Sequence, residues 1–346
     1  MQTIMAQEIA EQPVAIAATL EGLRPLRADI ERLGHKRRHV LFVARGSSDN
    51  AAIYGRYLLE VHASRPASMA APSVATHYRG ELDLSDTLVV AISQSGQTEE
   101  IIQAQEWAKV CGAATIAVTN VEGSPLANAA DLALVTRAGA ERAVPATKTF
   151  TTQLIAMAVL ATALAADPNS LDEDLDRVPD EIERILANRV GIDDAVTLLS
   201  RTNEVLVSGR GLVYAAAVET ALKLEETCLR PVRGLSYADL KHGPIAIVDP
   251  QLASIVVAAQ DGPMLEGLTE LLVDLRSRGA LTVGIGGDAS FAEAANVSMA
   301  GPDLPEKVAP IALAVGGQLL AEGLAVALGL NPDAPRGLNK VTQTDR

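Results

Sequence analysis

The chain is short of cysteine, of positive charge and of long unbroken apolar runs. Only Cys111 and Cys228 occur among 346 residues, and neither stands in a metal-ligand spacing. Both read as small buried hydrophobes of a reducing cytoplasm. Twenty-nine basic residues face 43 acidic ones, a net charge of −14. That balance excludes general binding to nucleic acid or to an anionic membrane. An anionic ligand must then be held by local dipoles and a few placed cations. Met1 to Pro13 carries acids and glutamines where a secretory signal needs an apolar run. No apolar segment is expected to reach the length of a membrane span, because the apolar helices carry charges or glycine. The expectation is a soluble, cytoplasmic protein with no nucleic-acid and no membrane partner, long enough for two domains.

What is present begins with Leu88-Val89-Val90-Ala91-Ile92-Ser93-Gln94-Ser95-Gly96-Gln97-Thr98. An apolar strand runs into a turn carrying Ser93, Ser95 and Thr98, and a helix-forming run follows at once. A helix N-terminus offers unpaired N–H donors and a positive dipole end, Gly96 lets the backbone come close, and hydroxyls complete a phosphate cradle. The turn Arg45-Gly46-Ser47-Ser48 has the same form. Hydroxyls at such turns also serve as plain helix N-caps. Two such turns at the C-terminal ends of strands in one sheet favour phosphate binding, with Ser48, Ser93, Gln94, Ser95 and Thr98 as candidates.

Strands and helices alternate along the chain. Residues 40–44, 87–92, 114–119 and 132–135 read as strands, and 51–60 and 98–110 as helices. Near-continuous apolar strands between helices indicate an α/β fold with a doubly wound parallel sheet flanked by helices. The pattern then repeats. Val40 to Gly46 matches Val205 to Gly211, Val89-Val90-Ala91 matches Val256-Val257-Ala258, Thr115 matches Thr282, and Gln153-Leu154 matches Gln318-Leu319, at nearly constant spacing. An internal duplication follows. The expected organisation is an N-terminal helical segment over 1–36, a first domain over 37–168, a linker over 169–194, a second domain over 195–330 and a tail over 331–346. The acidic run from Leu171 to Glu183 reads as a solvated helix. The tail, broken by Pro332 and Pro335, reads by composition as a loose terminus.

Three further groups carry chemistry or structure. Glu219, Lys223 and Glu226 share one helical face, as a solvated salt-bridge stripe or a catalytic set. Of five histidines, His35 and His39 flank the basic run Lys36-Arg37-Arg38, and His62 and His77 lack a motif. His242 stands in Leu240-Lys241-His242-Gly243-Pro244.

Ser93-Gln94-Ser95-Gly96-Gln97-Thr98, Ala146-Thr147-Lys148-Thr149-Phe150-Thr151, Ala221-Leu222-Lys223-Leu224-Glu225-Glu226 and the His242 motif together resemble tandem SIS (sugar isomerase) proteins. Within that family the likeness is to the isomerase half of glutamine–fructose-6-phosphate aminotransferases, from Glu8-Ile9-Ala10-Glu11-Gln12-Pro13 to Lys340. The glutaminase half carries a nucleophilic cysteine directly after the initiator methionine, whereas Gln2 follows Met1 here. The expectation is therefore a chain that uses or releases free ammonia, as stand-alone SIS-type glucosamine-6-phosphate deaminases do.

The resemblance implies roles for individual residues. Glu226 is the base that moves a proton between C1 and C2, and Lys223 a cation beside the developing enolate oxygen. His242 is the ring-opening acid–base, contributed across a homodimer interface. Lys340 is the lysine that forms an imine with the open-chain ketose. Glu141 and Ala146 belong to the sugar pocket, although the aminotransferases carry Ser where Ala146 stands. They also read Ala-Glu-x-Tyr where this chain has Val232-Arg233-Gly234-Leu235. The implied partner is a phosphorylated amino sugar or ketose, with no cofactor and no metal. The implied reaction converts glucosamine 6-phosphate to fructose 6-phosphate and ammonia. Other readings are a deglycase of phosphorylated ketoamines of the fructose-lysine type, ammonia-dependent glucosamine-6-phosphate synthesis, and a non-catalytic sugar-phosphate sensor.

Overall fold

The computed structural model describes residues 2–343; Met1 and the last three residues of the expected tail lie outside the described residues. The strands are β1 (His39–Val43), β2 (Ala67–Met69), β3 (Thr87–Ile92), β4 (Ala114–Thr119), β5 (Leu132–Val135), β6 (Glu204–Gly209), β7 (Val232–Ser236), β8 (Leu252–Ala258), β9 (Leu281–Gly286) and β10 (Val297–Met299). The helices are α1 (Ile4–Ala10), α2 (Gln12–Leu23), α3 (Arg27–Gly34), α4 (Ser47–His62), α5 (Pro72–Thr76), α6 (Glu99–Val110), α7 (Pro125–Ala129) and α8 (Lys148–Ala163). They continue with α9 (Asp172–Ala187), α10 (Ile192–Leu199), α11 (Tyr214–Cys228), α12 (Tyr237–Lys241), α13 (Leu265–Ser277), α14 (Ala289–Ala294) and α15 (Ala309–Ala327).

Two compact units share these elements, and neither is a single stretch of chain. One comprises Val14–Glu141, Lys148–Leu175 and the chain from Asn339 onward. The other comprises the chain up to Pro13, Arg142–Thr147 and Asp176–Leu338.

In the unit holding β1–β5, the parallel sheet has the order β2-β1-β3-β4-β5. Every position of β3 and β4 is buried, as expected for strands covered on both faces. Val43, Val89, Ala91 and Ala117 pack with Ile101, Ala104 and Ala108 of α6 on one face. Phe42 faces the other way, toward Gly55 of α4 and Met157 of α8. Strand β2 is a short edge strand that the apolar pattern did not mark; Ala67, Ser68 and Met69 carry little hydrophobic signal.

In the other unit the sheet order is β10-β9-β8-β6-β7, all parallel, which read from the far edge is the same order as the first. The register shifts one of the expected matches. Leu41 pairs with Val89 and Leu206 with Ser254, so Ser254 rather than Val256 occupies the place of Val89. A slip of one full pleat keeps each side chain on its face, so apolar matching cannot detect it.

Helix α15 corrects an expectation, being long and apolar enough to cross a membrane by length and composition. Its residues are instead largely buried. The contact with α11 is close: a Cβ on Gly317 would fall 2.0 Å from Thr220 Oγ1. Helix α9 is a second correction. The acidic run is helical, but Leu175, Val178, Ile182 and Ile185 recur at helical spacing and are buried, so only its acidic face is solvated. Cys228 is buried as expected, whereas Cys111, at the C-cap of α6, is half-buried.

Both sheets carry the same side-chain clamp. Thr115 N and Oγ1 donate to Asp131 Oδ2 at 2.8 and 3.0 Å, and Asp131 N donates back to Thr115 Oγ1. In the second sheet Thr282 and Asn296 repeat the three bonds, each at 2.9 Å. Burial pushes the Asp131 carboxyl up, but Lys109 and the two Thr115 donors outweigh it and hold it below the ordinary value. A carboxyl lowered on folding stabilises the fold above its unfolded value, and that contribution fades as pH falls through the folded one. We predict that Asp131→Asn, which copies the second sheet, keeps the clamp but loses Lys109, at a cost of about 0.5–1 kcal/mol at pH 7. Urea midpoints should show this gap narrowing below about pH 4; a gap independent of pH would mean that the Lys109 pair contributes nothing.

Candidate active site

In the unit holding β1–β5, strands β1 and β3 are neighbours at the point where the strand order reverses, the usual ligand position of such sheets. Their C-terminal turns lead into α4 and α6. A cavity of about 400 Å³ opens there, lined by Gly46, Ser48, Ser93, Gln94, Ser95 and Thr98 among others. All five residues expected to bind phosphate are thus brought together.

The capping alternative fails for most of them. Neither Gly46, the N-cap of α4, nor Thr98, the N-cap of α6, makes a side-chain cap. Ser93 Oγ and Thr98 Oγ1 instead share a hydrogen bond of 3.1 Å. Ser95 Oγ does accept from Gln97 N within the turn. Gly96 sits at φ +62°, and a Cβ there would fall 2.1 Å from Ser124 Oγ, so glycine is required.

Ser48 is set by a residue outside the turn. Gln153 Nε2, on α8, donates to Ser48 Oγ at 3.0 Å, and both side chains are buried. Arg45 also lines the cavity, but its guanidinium forms two bonds with the buried Glu100 carboxylate, Nε to Oε2 at 3.0 Å and Nη2 to Oε1 at 2.7 Å.

The tail is not a loose terminus over the described residues of this unit. Lys340 Nζ donates to Glu141 Oε2 at 2.5 Å, and Glu141 also accepts from Thr149 N and Oγ1. Gln343 Oε1 accepts from Glu99 N, one of the N–H groups left open at the start of α6, and its Nε2 donates to Gln97 O. Lys340, Val341 and Thr342 consequently line the cavity. Composition could not show this, because each anchor is a single polar contact.

In the other unit, α11 carries Glu219, Lys223 and Glu226. They are not a solvated stripe: Lys223 and Glu219 are 1% exposed and Glu226 23%. Lys223 Nζ is ion-paired with Glu226 Oε2 and lies 3.4 Å from Glu219 Oε1. A buried ammonium is thus matched by carboxylates, of which Glu226 alone reaches solvent. His242 is exposed at the C-cap of α12, with no side-chain hydrogen bond among the described residues. Beside it Lys241 Nζ donates to Tyr237 Oη at 2.9 Å, and Arg210 stacks on the same ring.

Ala146 lies in the 142–147 segment of this unit, half-buried. The buried Glu8 carboxylate accepts from Arg142 N and Ala143 N, Val144 N donates to Asp333 O, and Gln318 Nε2 donates to Thr147 O. Sequence reasoning quoted Glu8 and Gln318 but gave them no role. It missed Glu100 as the partner of Arg45, and Gln153 as the partner of Ser48. The usable signal was a glutamine recurring at one repeat position inside two apolar helices. Among the described residues, no group of three His, Cys, Asp or Glu side chains is placed to hold a metal.

Residues 35–163 match the SIS domain family model. Glutamine–fructose-6-phosphate aminotransferase of Pyrococcus horikoshii is 33% identical over 97% of this chain. The chain spans 57% of that relative's length. Among solved structures, the C-terminal domain of glucosamine-fructose-6-phosphate aminotransferase from Francisella tularensis superposes with a TM-score of 0.88 at 28% identity, covering 97% of this chain and 99% of that one. A Silicibacter pomeroyi protein, named for an inferred phosphosugar isomerase activity, reaches a TM-score of 0.85 at 30% identity, covering 96% of this chain and all of that one. The chain belongs to the SIS family of phosphosugar isomerases and is built like the isomerase half of glutamine–fructose-6-phosphate aminotransferase.

Proposed function

We propose that the chain converts glucosamine 6-phosphate and water to fructose 6-phosphate and ammonia. The observation that carries this reading is the cavity beyond β1 and β3, where the first turns of α4 and α6 bring together Ser48, Ser93 and Thr98. Helix starts and hydroxyl donors gathered at one cavity suit a phosphate dianion in an acidic chain.

In this reading His242 carries a proton between O5 and O1 and opens the ring. In the open-chain aldose the C1 carbonyl acidifies the C2 hydrogen. Glu226 takes that proton, charge develops on O1, and Lys223 balances it. Returning the proton to C1 leaves an imine at C2, which water cleaves to the ketone and ammonia. Lys340, held by Glu141, is assigned to the C2 end of the open-chain ketose. The exposed His242 fits a residue that works in the partner subunit of a homodimer. The same reading takes 37–168 and 195–330 as tandem SIS domains in the cytoplasm, joined by 169–194 and flanked by 1–36 and 331–346. The shared strand order and shared threonine clamp support their duplication.

The test is ammonia release from glucosamine 6-phosphate, coupled to detection of fructose 6-phosphate in equal amount. If neither appears while fructose 6-phosphate still raises the melting temperature, the deaminase is rejected and phosphorylated ketoamines are the next substrates. Two variants follow. Glu226→Gln should lower kcat about 10³-fold while the Kd for fructose 6-phosphate stays within about threefold; surviving turnover would remove Glu226 from the role of base. Thr98→Val should raise KM about tenfold, the loss of one hydrogen bond to a charged group, without changing the weak binding of unphosphorylated glucosamine. Equal losses for both sugars would place Thr98 elsewhere than at the phosphate.

A further inference from the structure

Helix α8 is buried along its whole length, yet it carries a glutamine at 153. Gln153 Nε2 donates to Ser48 Oγ, while its Oε1 is buried without a hydrogen-bond partner. An orphaned buried carbonyl costs stability, about 1–3 kcal/mol, and an apolar side chain of similar volume would avoid that cost. Stability therefore does not explain Gln153.

Its effect on Ser48 does. A serine oxygen has one proton and two lone pairs. By donating to that oxygen, Gln153 fills an acceptor site and leaves the Ser48 proton to be given elsewhere. Ser48 lines the cavity beyond β1 and β3, next to the turn from Ser93 to Thr98. Turned the other way, the amide would take the Ser48 proton and leave the cavity facing a lone pair, which repels an anion.

The matching position in the other unit does comparable work. Gln318, buried in α15, accepts from Gln12 and donates to Thr147 O, so it fixes the segment carrying Ala146. In both apolar helices the glutamine amide holds an element from another part of its own unit.

We propose that Gln153 is a positioning residue that directs the Ser48 hydroxyl proton toward the phosphate of the substrate. The proposal rests on the reading of this cavity as a phosphate site. It is tested by calorimetric titration of fructose 6-phosphate and of inorganic phosphate into the parent, Ser48→Ala, Gln153→Leu and the double variant, with melting temperatures recorded. Gln153→Leu should weaken both ligands five- to tenfold, by a similar factor for each, without lowering the melting temperature, since it also removes the orphaned oxygen. The double variant should bind no worse than Ser48→Ala, because Gln153 acts through Ser48. Gln153→Met serves the same purpose if leucine packs poorly. If Ser48→Ala weakens binding and both Gln153 variants stay within twofold of the parent, the positioning role falls while the phosphate site stands. Additive losses in the double variant would equally overturn it. A parent that binds neither ligand would remove the phosphate site and the positioning role together.

Discussion

The parallel ladder between β1 and β3 pairs His39 with Thr87 and Val43 with Ala91, and the candidate site depends on where that ladder stops. Because both strands end at one level, the turns that follow open on the same side and start α4 and α6 together. Each helix start contributes a dipole end worth about 0.3–1 kcal/mol toward an anion, and each hydrogen bond to a charged group adds about 1.5–3 kcal/mol. The net charge of −14 works against them, but it is spread over the molecule and screened beyond about 8 Å at physiological salt. Local donors therefore outweigh the global field. Arg45 does not supply the balance, since Glu100 is buried and would be left uncompensated without it.

The second unit uses the same sheet order for a different end. Its equivalent of the Arg45 turn, Arg210-Gly211-Leu212-Val213, has no hydroxyl, and Arg210 lies on the Tyr237 ring. Its charged groups lie on α11 instead, where Lys223 is buried against Glu219 and Glu226. A buried ion pair is poor support for stability, because desolvation offsets most of the attraction and an apolar replacement is often at least as stable. A lysine and two glutamates retained in that setting fit a role in moving charge better than a role in holding the helix.

The strands were legible because their signals are local. Apolar runs marked β1, β3, β4 and β5 to within about a residue, and placed the turn from Ser93 to Thr98 directly after β3. What escaped had no periodic signal. Strand β2 is short and sits at an edge. The offset of β8 is hidden because a two-residue slip leaves the buried face unchanged. The burial of Lys223 and the paired tail depend on long-range contacts: nothing around Lys340 in the sequence points to Glu141, and nothing around Gln343 points to the start of α6. Helix α15 was under-read because Gly316, Gly317 and Gln318 look like interruptions, whereas the glycine at 317 permits close approach to α11.

The 142–147 segment shows how position and specificity separate in this architecture. Its neighbours to Ala146 are held through their backbone, by Glu8 at Arg142 and Ala143, by Asp333 at Val144 and by Gln318 at Thr147. Each of those bonds is to the backbone of a residue other than 146. A change of side chain at 146 can thus leave the segment in place. A site that lacks a hydrogen-bonding group rejects a hydroxyl-bearing substrate only weakly, by about a hundredfold, whereas a site that has the group rejects a substrate lacking the hydroxyl far more sharply. The bonds that hold 142–147 are backbone bonds at Arg142, Ala143, Val144 and Thr147, and they do not depend on which side chain stands at 146.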